Sequence, residues 1–205
     1  MNMKNLLLLL ILACTSATLN AQRASELAKL GDAALKNKKE KLALDYYKKA
    51  IAKDKKNDDA YAGASLMYSR IGNRQASKST KISYFKAAKA HALVAVKLNP
   101  NKSFNNYTVA VAMGRMALIS GSKAKVAASR DIKKYADKAI KLNSKNADAW
   151  IVLGKWNYAV SNLNFAEKAA ANMLFGGLPD GSNAKAMKCF EQARKLNPSY
   201  VLTYL

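Results

Sequence analysis

Apolar residues recur along this chain at helical spacing, and they do so in blocks. Ala43, Tyr47 and Ala50 follow at steps of four and three, as do Ala186, Phe190 and Ala193, which puts each trio on one face of a helix. Four segments share one frame: ALDYYKKAIAKDKKN (43–57), HALVAVKLNP (91–100), DKAIKLNSKN (137–146) and FEQARKLNP (190–198). Aligned on Ala50, Ala95, Ala139 and Ala193, the turn position five residues later holds Lys55, Pro100, Ser144 and Pro198. A helix that stops at the same point four times marks an internal repeat.

Upstream of each stop lies a second helix. Leu27, Leu30 and Gly31, then Ala43, Tyr47 and Ala50, occupy the places where a tetratricopeptide unit carries its large residue, Leu, Gly and its small-aromatic-small trio. Trp150, Leu153, Gly154, Ala186, Phe190, Ala193 and Pro198 repeat this near the other end. Small residues are needed where two helices cross closely, and a ring fills the hole between neighbouring pairs. The two middle units keep only their ends, Tyr61, Tyr68, Ala88, Ala95 and Pro100 in one, Phe104 and Ala139 in the other. The predicted fold is all-α, a tetratricopeptide-like helical-repeat solenoid of about four helix pairs, with repeats at 24–57, 58–100, 101–144 and 145–198.

The units are longer than the roughly 34 residues of such a repeat, which predicts elongated helices in repeats 2 to 4 and places the surplus between the first and second helix of each pair. In the fourth unit LFGGLPDGS (174–182) reads as the end of an elongated first helix, because Gly past a helix end with Pro beyond it is a stop signal. Residues 199–205 read as an incomplete fifth helix. An array without a capping helix predicts either a longer chain or a cap borrowed from a partner.

The first residues change the expected location. MNMKNLLLLLILACTSATLNAQ has one Lys, an apolar run over 6–14 and a small polar segment, the layout of a signal peptide at 1–21 and too short to span a bilayer. This predicts an exported, periplasmic or secreted repeat domain at 22–205. Ile11-Leu12-Ala13-Cys14 resembles a lipobox, and the alternative is a lipoprotein anchored through Cys14. After cleavage at Ala21, Cys189 is the only cysteine left, so no intrachain disulfide can form.

Charge adds a partner class. Lys and Arg number 35 against 13 Asp and Glu, for a formal net charge of +22 over 205 residues. Residues 60–130 contain no acidic residue. A field of that sign favours anionic partners such as membrane headgroups and acidic polypeptides. Nucleic acid is disfavoured, because the cations are mostly Lys without interleaved exposed aromatics.

MLFGGLPDGSNAKAMKCFEQARKLNP, preceded by LGKWNYAV, resembles the regulator of microtubule dynamics family, whose members carry an L-F-G-x-P-P phrase and then an A-L-x-x-F-x-x-A-x-x-L-x-P helix. The resemblance covers residues 24–205. It implies a tetratricopeptide fold and, among eukaryotic members, association with microtubules, mitochondria and, in one branch, phospholipid.

Chemistry for catalysis is sparse. His91 stands without a second His, Cys or carboxylate at ligand spacing, Cys189 sits beside Phe190 in a packing position, and GGLPDG lacks the Gly-Lys-Ser/Thr ending of a phosphate loop. The sequence therefore predicts no enzyme, no cofactor and no metal. It predicts instead a scaffold whose concave groove, lined by the first helices, offers Arg70, Asn105, Asn106, Lys155 and Tyr158 to a protein or peptide partner, with Asp32 beside them. A lipid- or envelope-surface protein using a basic face or an apolar cavity is the alternative, and a microtubule-associated regulator a further one.

Overall fold

The computed structural model describes residues 3–177 and 180–199, with side chains from Thr18 onward. Among them nine helices and no strand form an array of pairs. The pairs are α1 (Met3–Lys36) with α2 (Glu40–Lys53), α3 (Asp58–Asn73) with α4 (Lys78–Leu98), and α5 (Ser103–Leu118) with α6 (Ser122–Leu142). In the last, α7 (Ala147–Ser161) packs on α9 (Asn183–Leu196), and α8 (Phe165–Phe175) is inserted between them. The fifth helix expected over 199–205 lies, apart from Ser199, outside the described residues.

The repeated stop is a repeated hydrogen bond. The first amide beyond each second helix returns to the alanine of the sequence frame: Asp54 to Ala50 at 2.9 Å, Asn99 to Ala95 at 3.0 Å, Asn143 to Ala139 at 3.0 Å and Asn197 to Ala193 at 2.9 Å. Each capping residue has left the helical region, with φ between −140° and −152°. Two of the following first helices, α3 and α7, then start from an Asn whose side chain accepts a backbone amide, Asn57 from Ala60 at 2.9 Å and Asn146 from Ala149 at 3.0 Å, which satisfies one of the donors a helix start leaves open; α5 starts after Lys102 without such a cap.

Rings and glycines set the spacing of the pairs. Tyr47 is buried between Gly31 and Gly63, where an added Cβ would fall 2.6 Å and 2.5 Å from its ring. Its hydroxyl donates to Asp32 at 2.7 Å; burial first, and then this carboxylate, raise the phenol's pKa. Gly154 meets Phe190 in the same way at 2.5 Å. Helices that touch through hydrogen atoms on one side and a ring on the other lock a single register.

In the second and third units the surplus lies between the two helices as the sequence pattern suggested, and only the fourth unit departs from it. The first helices α3, α5 and α7 have 16, 16 and 15 residues. In the second and third units the second helix is the long one, 21 residues in α4 and α6 against 14 in α2 and α9. No Gly or Pro interrupts 78–98 or 122–142, so the helix runs back to the turn. In the fourth unit the surplus is a helix of its own: Asn164 and Glu167 form a capping box that starts α8 afresh. LFGG therefore ends α8, with Gly176 in the left-handed region at φ 68°, and not an extended α7.

The array has two edges. Turns between pairs lie on the pair-linking edge, and turns within pairs on the pair-closing edge. Among the described residues every core side chain lies at or beyond Ala24, so residues 22–205 contain that whole core. Also among them, no helix is long and apolar enough to cross a membrane.

Candidate functional groove

The first helices α3, α5 and α7 line up on the inside of the array and, with one wall of α6, enclose a groove of about 670 Å³. On α5, Tyr107, Ala110, Val111, Gly114 and Leu118 face it at steps of three and four. Ile151, Val152 and Trp156 do so from α7, and Val126 and Ile132 from α6. Trp156 is tied to α6 because its indole N–H donates to the Ser129 carbonyl at 2.8 Å. The floor is thus apolar and held rigid from behind.

Its walls are cationic. Arg70, Arg74, Arg115, Lys125 and Lys155 line the groove, against two carboxylates, Glu40 and Asp148. Glu40 is engaged by Arg74 and lies 3.7 Å from Arg70. Arg115 donates to Asn73 Oδ1 at 2.9 Å, and Lys125 pairs with Glu167 at 2.6 Å. Lys155 reaches solvent but loses hydration against the groove walls and feels Arg115, and both effects, loss of hydration first, lower its pKa. Among the described residues no carboxylate pairs with Lys155. Ser69, nearly fully buried at the wall, and Ser129 have hydroxyl oxygens with no hydrogen-bond partner there.

Of the residues the sequence proposed, the structure brings Arg70 and Lys155 to the groove. Asn105 and Asn106 require correction. Both are fully buried at the pair-linking edge, because their short amides close the turn before α5. Asn105 Nδ2 reaches Asp58 Oδ2 at 2.9 Å and the carbonyls of Ala95 and Asn99 at 3.0 Å each. Asn106 Nδ2 donates to the carbonyls of Pro100 and Lys102 at 2.9 and 2.8 Å. Tyr158 is 57% exposed and is not among the groove's lining residues, and Asp32 is taken by Tyr47. Sequence reasoning missed Arg115, Lys125, Trp156 and Ser69. Four of the five groove cations, Arg70, Arg74, Arg115 and Lys125, fall inside the acid-free stretch, which was the signal that could have found them.

The other candidate groups are packed into the scaffold. His91 Nδ1 lies 2.8 Å from the Ala87 carbonyl, and its ring sits 5.1 Å from that of Tyr68 and 5.7 Å from that of Tyr61. Cys189 is buried, and burial, followed by the charge of Asp137, raises the pKa of its thiol, which makes it a poor nucleophile. No cluster of three metal-ligating side chains occurs among the described residues.

Helix pairs that stop at a shared alanine, cross at glycine and ring, and turn their first helices toward one groove define a tetratricopeptide-like helical-repeat array. Solved arrays bear this out. The first tetratricopeptide repeat domain of Spaghetti (RPAP3), bound to the HSP90 peptide SRMEEVD, superposes with a TM-score of 0.53 at 20% identity, covering 69% of this chain and 98% of that one. TTC0263, a thermophilic protein of the same class from Thermus thermophilus, gives 0.54 at 10% identity, covering 88% and 95%. The family model for Regulator of microtubule dynamics protein 1-3 matches residues 25–205, and the chain belongs to that family. Regulator of microtubule dynamics protein 3 of Mus musculus is 29% identical over 133 residues, which is 65% of this chain and 28% of the mouse protein.

Proposed function

We propose that this protein is a non-enzymatic scaffold whose groove holds an acidic segment of a partner protein. The observation that carries the reading is the pairing of an apolar floor with Lys155, a cation whose charged form the groove disfavours. A carboxylate brought beside Lys155 would offset both the lost hydration and the repulsion from Arg115, while apolar side chains of the same segment displace water over Trp156 and Val152. That another array of this fold holds SRMEEVD, a peptide with three carboxylate side chains, supports the choice of ligand chemistry. Export through residues 1–21 belongs to the same reading, with the partner then met outside the cytoplasm.

Fluorescence anisotropy of residues 22–205 with labelled SRMEEVD, and with SRMQQVN as the uncharged control, tests it. The acidic probe should bind and the control should not. Lys155→Glu should weaken the acidic probe by roughly tenfold or more, as expected for a partly desolvated charge contact, while Tyr158→Ala leaves it unchanged. Because the pKa of Lys155 is lowered, affinity should fall with rising pH at a lower pH than an ordinary lysine would give. Equal binding of both peptides, indifference to Lys155→Glu, or a lipid that copurifies in the groove would overturn the peptide reading.

A further inference from the structure

One carboxylate of the groove is left over. Glu40 is held by Arg74, whereas Asp148 makes no hydrogen bond or ion pair among the described residues, and its Oδ1 is shut from solvent without a partner. Within residues 22–205 the side chains outside the description, at 178–179 and 200–205, include no Lys or Arg, so they bring no counter-charge. The start of α7 does not account for Asp148 either. Asn146 already caps that helix by accepting the Ala149 amide, and Asp148, although it lies in the first turn, accepts no helix amide. A carboxylate oxygen closed off from water without a donor is costly and calls for one. A donor that arrives with a ligand fills that need.

The charges of the groove are sorted along its helices. Asp148 stands in the first turn of α7. Lys155 follows seven residues later, two turns or about 10 Å along the axis on the same face. Arg70 and Arg115 stand in the last turns of α3 and α5, and Lys125 in the first turn of α6. Because α3, α5 and α7 run in one direction, the groove's cations gather toward the end where the first helices finish, and its unpartnered carboxylate stands where α7 begins. A ligand laid between them meets a negative site at one end and a positive field at the other.

We propose that Asp148 receives a basic side chain of the bound segment, so that the groove selects a segment with Lys or Arg about three extended residues from its acidic residues and takes it in one direction. The proposal rests on the acidic-segment reading above and adds a second charge of opposite sign to the ligand. A basic side chain would satisfy Asp148 and would be repelled beside Arg115 and Lys155, which fixes the orientation. The chain's overall field makes the opposite prediction. At a formal net charge of +22, it favours whichever of two ligands is the more negative.

Fluorescence anisotropy of residues 22–205 with SRMEEVD, and with SMMEEVD, in which methionine replaces the arginine, sets the two predictions against each other. Both peptides are labelled through the amino terminus, so that no free amine competes for the site. SRMEEVD should bind at least about fivefold more tightly, although it is the less negative peptide. Asp148→Asn, which keeps the shape and removes the charge, should erase the preference by weakening SRMEEVD alone. Lys155→Met should weaken both peptides and keep their ratio, since sites about 10 Å apart couple little. Should Asp148→Asn unfold the chain, as thermal melting would show, the ratio of the two peptides on the parent protein decides by itself. SMMEEVD binding as tightly as SRMEEVD or more so, or a preference that survives in Asp148→Asn, would overturn the assignment of Asp148 and leave the acidic-segment reading standing. Failure of both peptides to bind would overturn that reading and this one with it.

Discussion

The two edges of the array do different work with different chemistry. At the pair-linking edge, buried amides and hydroxyls sew one pair to the next: Asn105 and Asn106 close the turn before α5, and Ser103 donates to the Ala139 carbonyl at 2.7 Å while receiving Asn146 Nδ2 at 2.9 Å. At the pair-closing edge the lateral ties are ionic or partly exposed, Arg74 to Glu40, Arg115 to Asn73 and Lys125 to Glu167. Buried neutral hydrogen bonds resist salt and are costly to leave unmade, whereas ion pairs at a surface contribute little and yield to salt. The pair-linking edge therefore supplies the more salt-resistant ties between pairs, while exposed lysines stand at both edges.

Removing Asn105 should give the largest effect. Asn105→Ala removes three hydrogen bonds, to the Ala95 and Asn99 carbonyls and to Asp58, at about 1 kcal/mol each, read as a lower midpoint in urea unfolding with an unchanged slope. Loss of SRMEEVD binding with stability intact would return this residue to the groove and break the contrast between the edges.

Between the edges, packing decides. Gly63→Ala drives a Cβ into the Tyr47 ring at 2.5 Å, and the ring, held on its other side by Gly31 and through its hydroxyl by Asp32, has nowhere to retreat. Overpacking of this kind costs about 1–3 kcal/mol, measurable in the same unfolding experiment. A variant as stable as the parent would mean that the pair register is softer than the close contact indicates.

The sequence carried the scaffold further than the site. The alanine frame is visible because a helix stop depends on neighbouring residues, and Ala50, Ala95, Ala139 and Ala193 all receive the closing amide. Tyr47 and Phe190 were readable for a similar reason, since a ring opposite a glycine leaves a fixed spacing. Asn105 and Asn106 misled because an Asn at the start of a first helix can point along the groove or under the turn, and only the path of 95–102 decides. The break before α8 was hidden because Asn162-Leu163-Asn164 contains neither Gly nor Pro; the capping box of Asn164 with Glu167 was the available signal. Trp156 was recognised as part of a family phrase, but its place in the groove depends on α6, which is far away in sequence.

A smaller effect is expected at the tie between α6 and α8. Hydrogen bonding from Lys125 is the largest influence on Glu167 and lowers its pKa. A carboxyl with a depressed folded pKa contributes stability that is present above its unfolded pKa and is lost as pH falls through the folded value. Glu167→Gln should therefore cost about 1 kcal/mol at neutral pH and flatten the acid limb of the stability curve below roughly pH 4.5. A mutant with the parent's acid limb would show that this edge is held by the apolar contacts of Val126 with Ala170 and Ala171 alone.

The smallest effect separates charge as a stabiliser from charge as a local field. Lys133 and Asp137 pair at 2.6 Å one helical turn apart, each with more than two-fifths of its side chain exposed, so Asp137→Asn should change stability by no more than about 0.5 kcal/mol. The same carboxylate is the second cause, after burial, of the raised pKa of Cys189, and Lys133 opposes it. Asp137→Asn should therefore leave unfolding nearly unchanged while moving the thiol's titration slightly downward, followed by alkylation rate against pH. Burial is untouched by the substitution, so the pKa should stay above that of a free thiol. A fall to or below the free value would reverse the ranking of the two causes and place Cys189 in an opening that the packing of α7 on α9 does not show.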